Sequence, residues 1–202
     1  MRKGGEPVSG SEKKISKKPG MVKEQSESYL IPERYEIING VRYDFLSSPK
    51  VVHQMIVGNM YASFHFSCRA EGVILLAPMD VHFDETGDNI AQPDLIYITN
   101  ANRAIIRDGY VFGTPDLLVE VLSGSTARKD KTVKLDMYAR FGVPEYWIVD
   151  PVYRTVDQLV LVEGQYGKLT VKTEDDVLHS QLYPCMSIAL KDVFPPEDSE
   201  YI

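Results

Sequence analysis

The chain has 202 residues, 44% hydrophobic and 25% charged, the composition of a globular protein long enough to bury one sizeable core. Its formal net charge of −7 argues against tight nonspecific nucleic-acid binding, which depends on neutralising phosphates. No apolar run approaches the roughly 18 residues of a membrane-spanning helix, and no membrane partner is expected.

Residues 1–24 hold seven Lys/Arg against three Glu, net +4, which leaves −11 on the remainder. Residues 1–28 are rich in Lys, Gly and Ser without periodicity and are expected to form a disordered basic tail, with a single domain over 29–202. No apolar stretch follows the early positive charges, so the N-terminus does not read as a secretory signal. Ordered structure is expected to begin at "YEIINGVRYDFL", two short apolar runs about Asn39-Gly40, a hairpin signal. In "SSPKVVHQMIVGNMYASFHF", Val52, Ile56, Met60 and Phe64 recur every four residues, which predicts an amphipathic helix ending near Gly72.

"VILLA", "DVHF", "PDLIYI" and "PDLLVEVLS" read as strands, with a long mobile segment over 99–115 between the last two. A helix follows in "ARKDKTVKLDMYARFG", stopped by Gly142, and then a strand in "EYWIVD". "TVDQLVLV", "KLTVK" and "MSIAL" look like an antiparallel meander with a final turn near "KDVF". The order of helix, strands, helix and strand gives one α/β domain with a mixed sheet. Cys68 and Cys185 are far apart and fit no metal-ligand or redox spacing, so both are expected to be reduced core thiols, with a cytoplasmic location as the default.

Glu120 is the anomaly, a carboxylate inside an aliphatic strand. Asp94 occupies "QPDLIYI" in the same way, and residues two apart in a strand share a face. An antiparallel register pairing 98 with 116 and 96 with 118 sets Asp94 opposite Glu120, Cβ atoms about 4.5–5.5 Å apart. Two such charges call for a proton or a cation between them. Mg²⁺, with Mn²⁺ as a substitute, takes one or two carboxylates and keeps several waters, an arrangement suited to phosphodiester hydrolysis. Asp130, Lys134 and Tyr138 stand at four-residue steps on one helix stripe, from which the Lys134 ammonium can turn back towards Glu120 to hold a water or a phosphate oxygen. The competing reading is structural: a hydrogen-bonded acid in a strand and a solvent-facing helix lysine.

"YEIINGVRYDFLSSPKVVHQMIVGNM", "IAQPDLIYI", "PDLLVEVLSGSTARKDKTVKLDMYARFGVPEYWIVDP" and "MSIALKDVF" together resemble the Uma-type putative restriction endonuclease family of the PD-(D/E)XK nuclease superfamily, over about residues 30–194. The resemblance implies a restriction-endonuclease-like αβββαβ core, here with an extra N-terminal hairpin and C-terminal antiparallel strands. It implies Asp94 and Glu120 as metal ligands. Leu122 stands where the superfamily motif has lysine, and Lys134 matches the helix position that supplies it instead. Glu36 and His53 match recurrent polar positions and are carried as assisting residues. The expected activity is metal-dependent endonucleolytic cleavage of DNA, with RNA open as a substrate and a homodimer suited to cutting two strands. The alternative is a nuclease-like binding or regulatory module without catalysis, favoured by the acidic charge and Leu122.

Overall fold

A computed structural model describes residues 34–44, 48–124 and 126–196; the predicted tail over 1–28 lies outside them. The predicted hairpin forms as β1 (Tyr35–Ile38) and β2 (Val41–Asp44). Asn39 and Gly40 turn at φ 55° and 72°, the paired left-handed conformation that suits an Asn-Gly hairpin. Helix α1 (Val51–Cys68) buries Ile56, Met60 and Phe64, the predicted stripe.

The helix stops four residues before Gly72, which instead opens β3 (Gly72–Leu76). A Cβ there would sit 2.5 Å from the Ile98 carbonyl oxygen and 2.6 Å from the Tyr97 ring, so this glycine serves close strand approach rather than helix termination. Next come β4 (Val81–His82), β5 (Ile90–Ala91), β6 (Leu95–Thr99), β7 (Ile106–Arg107), β8 (Tyr110–Phe112) and β9 (Leu117–Val121). Within the segment 99–115, Asn100–Ile105 is a 3₁₀ helix, and β7 and β8 follow it.

Helix α2 (Ala127–Lys129), a π-helical turn (Asp130–Lys134) and α3 (Leu135–Arg140) make one helical stretch leading to β10 (Glu145–Asp150). The chain finishes with β11 (Thr155–Val162), β12 (Gln165–Thr173), β13 (Val177–His179), β14 (Ser187–Ala189) and a 3₁₀ turn at Leu190–Asp192.

The principal sheet runs β12-β11-β10-β9-β6-β3, with β9 and β10 parallel and the other pairs antiparallel. Helix α1, β3, β6, β9, the α2–α3 stretch and β10 therefore reproduce the expected αβββαβ order, with short strands inserted between its members. A smaller sheet runs β2-β1-β5-β4-β8-β7, so "DVHF" joins this second layer and not the main sheet. "MSIAL" pairs with β13 in a separate two-stranded sheet, so the predicted meander ends at β12.

Two cores sandwich the main sheet. On one face α1 packs Phe64 edge-on to Trp147, with ring centroids 5.5 Å apart. On the other, Met137 and Tyr138 join Ile96, Leu118 and Ile148 beneath the inward residues of the small sheet, Ile38, Val81 and Val111. Cys68 and Cys185 form a disulfide with Cα atoms 5.2 Å apart, which corrects the expected reduced thiols. Folding brings the end of α1 to the segment before β14 across 117 residues of sequence, a proximity no local spacing could reveal. The cysteine-based ground for a reducing compartment falls away with it. Among the described residues, no helix is long and apolar enough to cross a membrane.

Candidate active site

The register of β6 against β9 is the one the alternation predicts, with Leu95 opposite Val119 and Ile96 opposite Leu118. Asp94 lies one residue beyond the ladder. Its Oδ2 accepts a hydrogen bond from the Val121 backbone N–H at 2.8 Å, so its carboxylate is tied to the residue after Glu120. Helix α1 adds His53, whose Nε2 lies 3.2 Å from the same oxygen. Burial lowers the imidazole's proton affinity, but the bond to and charge of Asp94 outweigh it, and the His53 pKa is raised.

Glu120 is buried one residue before the end of β9 and is not alone. Its Oε1 accepts from the Lys134 ammonium at 2.7 Å and from the Tyr138 hydroxyl at 2.9 Å. Lys134 is only 2% exposed, so it is no solvent-facing helix lysine. Its Nζ also lies 2.7 Å from Glu36 Oε1 and 3.5 Å from Asp130 Oδ1. Glu36 is fully buried on the inward face of β1, where its other oxygen receives Lys129 and Oε1 accepts the Gln92 backbone N–H at 2.9 Å.

All five residues predicted from the sequence therefore meet: Glu36, Lys134 and Glu120 in one ion-pair chain, and Asp94 with His53 beside it. Lys129 was not foreseen, and Asp130 and Tyr138 were recognised only as members of the stripe. The four-residue steps carried the signal for the last two. For Lys129 the decisive feature is the π turn. In a regular α-helix, residues 129 and 134 point about 140° apart. The wider i→i+5 turn brings residues five apart towards one side, and both ammonium groups reach Glu36.

The electrostatics follow from burial and count. Glu120 is pushed well above the usual carboxyl range by burial; Lys134 opposes this, while Asp130, Asp94 and Glu36 add to it. Burial also raises Asp130. Burial would raise Glu36 as well, yet the two lysines outweigh it and hold its pKa low. Lys134 would lose its proton to burial alone, but Glu120, Glu36 and Asp130 hold it as ammonium. Tyr138 stays a phenol, raised by burial and by Glu120.

Four carboxylates thus share two lysines and one histidine, and that excess of negative charge suits a divalent cation. Among the described residues three buried atoms here, His53 Nδ1, Gln92 Oε1 and Asp130 Oδ1, have no hydrogen-bond partner, although the Lys134 ammonium stands 3.5 Å from the last. Asp94 and Glu120 each have one oxygen clamped, and the donors they offer are hard oxygens. Among the described residues, no group of three or more His, Cys, Asp or Glu side chains is arranged to hold a metal. An ion here would rest on two carboxylates and otherwise on water or substrate, a coordination Mg²⁺ accepts.

The αβββαβ core, with acids at the adjoining ends of two strands and a lysine from the following helix, defines a restriction-endonuclease-like fold. The chain belongs to the Uma2 family, described as putative restriction endonuclease, whose model matches residues 26–191. Among solved structures, a putative nuclease belonging to DUF820 from Anabaena variabilis ATCC 29413 is similar in fold, with a TM-score of 0.64. It is 18% identical, and the match covers 81% of this chain and 93% of that one. No curated protein matches.

Proposed function

We propose that this chain is a divalent-metal-dependent endonuclease that hydrolyses DNA phosphodiester bonds. The observation that carries this reading is the meeting of Asp94, just before β6, with Glu120 of β9 and Lys134 of the helical stretch. Asp94 and Glu120 would hold Mg²⁺ or Mn²⁺, which when bound orients a water and offsets charge on the phosphate oxygens.

The chain's own groups do the rest. Val121 N–H and His53 fix the Asp94 carboxylate in one rotamer. Tyr138 and Lys134 fix Glu120 through a single oxygen, Oε1, and the other would be the one to hold the ion. Lys134, kept charged by its carboxylate neighbours, supplies the positive charge that Leu122 cannot, since Leu122 is buried in the core beneath the sheet. Glu36 and Lys129 hold that ammonium and the π turn in place. Cutting both strands of a duplex suits two copies related by two-fold symmetry.

A second reading is a nuclease-like module that binds without cleaving. It is favoured by the depth of Lys134, which is committed to Glu120 and Glu36. Parallel cleavage assays on DNA and RNA with Mg²⁺, comparing the native chain with Glu120→Ala, separate the two. Cleavage of DNA abolished by the substitution is expected. Metal uptake without cleavage of either polymer supports the module, and cleavage unchanged by Glu120→Ala removes the assigned site.

A further inference from the structure

Among the described residues the principal sheet ends on two edges, β12 and β3, and only one of them is guarded. β12 carries Lys172, and its pairing with β11 shifts register between Gln158 and Leu159. A lysine and a bulge are devices that keep an edge strand from pairing with another chain. β3 has neither. Residues 72–79, "GVILLAPM", hold no charge, and the ladder of β3 with β6 runs without a shift.

The hydrogen bonds at the two ends of β3 fix which way its backbone points. The Glu71 C=O accepts from the Asn100 N–H at 2.9 Å, and the Ala77 N–H donates to the Asp94 C=O at 3.2 Å. Antiparallel bonding alternates along a strand, so residues 71, 73, 75 and 77 bond inward to β6. Residues 72, 74 and 76 therefore turn their N–H and C=O groups outward. Gly72 is buried, Ile74 is half-buried and Leu76 is 37% exposed. Among the described residues the four outward groups of Ile74 and Leu76 have no backbone partner.

We propose that the β3 edge is an interface between two copies of this chain, joined strand to strand about a two-fold axis through Leu75. The principal sheet then runs on from one copy into the other. An antiparallel edge is its own complement. Ile74 of each copy exchanges both N–H···O=C bonds with Leu76 of the other, four bonds in all. Leu75 meets Leu75 on one side of the joint sheet, and Ile74 meets Leu76 on the other. Two chains of net charge −7 repel, and an uncharged strand is where they approach at least cost. Beyond the paired residues, the turn with Arg69 and Glu71 in one copy comes beside Asp80 of the other, a cation among the acids.

The choice of a second copy over a foreign strand rests on the nuclease reading and on where the candidate site lies. The axis stands perpendicular to the sheet, so both copies keep their carboxylates on the same face. Ala77, two residues from the axis, is bonded to Asp94 beside it. At ordinary strand rise and spacing the two Asp94 backbones come to lie about 20 Å apart. That is comparable to the width of a duplex, which then offers one strand to each site.

The test is light scattering after size exclusion, in EDTA and without DNA, on the native chain, Leu76→Lys, Leu76→Pro and the control Val171→Lys. Circular dichroism verifies the fold. The Leu76 N–H faces outward, so proline there removes an interface donor and leaves the ladder with β6 whole. Val171 is 41% exposed on the opposite edge strand. The native chain and the control are expected at twice the chain mass, and both Leu76 variants at half that value. Leu75→Cys is expected to cross-link the copies under mild oxidation, because residues facing each other across a non-hydrogen-bonded pair have Cα atoms about 4.5 Å apart. Val73→Cys is expected not to, and this pair reads the register whether or not the Leu76 variants fold. A native chain of single mass overturns the proposal and leaves the edge to another partner or to none. Dimers of both Leu76 variants, dissociation by Val171→Lys alone, or equal cross-linking of the two cysteine variants overturn it as well. A dimer dissolved by Leu76→Lys in a chain that cleaves nothing keeps the interface and sinks the nuclease. Cleavage sensitive to Glu120→Ala by a chain of single mass does the reverse.

Discussion

Replacing Lys134 by methionine tests the ion-pair chain at its centre. The substitution keeps an unbranched side chain of similar length and removes a charge that lies 2.7 Å from both Glu120 and Glu36 and 3.5 Å from Asp130. Three buried carboxyl groups then lose their shared counter-charge, although Lys129 still holds Glu36. Breaking a buried pair by deleting one partner costs about 3–5 kcal/mol. In a domain of this size that lowers the thermal midpoint by about 6–20 °C.

The sign with pH is opposite to that of an ordinary salt bridge. Without Lys134, the remaining carboxyls have folded pKa values raised above their unfolded ones by burial and mutual repulsion. The penalty is therefore full at high pH and shrinks as pH falls through the raised values and the groups take up protons. Thermal unfolding in EDTA, followed by far-ultraviolet circular dichroism at pH 8 and pH 5, reads both effects. Lys134→Met combined with Glu120→Gln should lose less than Lys134→Met alone, because one stranded charge is gone. A midpoint within a degree or two of native at pH 8, or a deficit that grows on acidification, refutes the reasoning.

Other outcomes follow from the same geometry. Burial opposes ionisation of Glu36 but the lysines depress its pKa, so it stabilises the fold above its unfolded value, about pH 4.3, and this is lost as pH falls through the lower folded value. Glu36→Gln should lower the midpoint at pH 7, with the difference closing below about pH 4. Gly72→Ala forces a methyl against the Ile98 carbonyl and the Tyr97 ring and should cost at least about 1–3 kcal/mol in denaturant unfolding. The Cys68–Cys185 bridge closes a long loop, and its loss should cost about 2–5 kcal/mol. Reductant should lower the midpoint of the native chain and leave Cys185→Ser unmoved.

Much of the site was legible because strand alternation is a strict rule. Once "QPDLIYI" and "PDLLVEVLS" are read as neighbouring antiparallel strands, evenness of position puts Asp94 and Glu120 on one side, and the observed register agrees. Helix spacing likewise carried Lys134 and Tyr138. Glu36 was ambiguous because its alternate neighbour Ile38 is apolar while Tyr35 and Ile37 on the other side are aromatic and apolar too, so nothing local tells inward from outward. The insertion strands β4, β5 and β7 are two residues each and too short for any period to register. Lys129 could not be placed by a rule of 3.6 residues per turn when the helix widens at Asp130–Lys134. The disulfide was hidden because chain topology, and not spacing, brings its halves together.

The most direct measurement is Mn²⁺ uptake by electron paramagnetic resonance, on the native chain and on Asp94→Asn and Glu120→Gln, with folding verified by circular dichroism. The account predicts that the native chain takes up the ion and that each substitution, leaving the fold intact, sharply weakens its binding. Uptake by both variants equal to that of the native chain would contradict it.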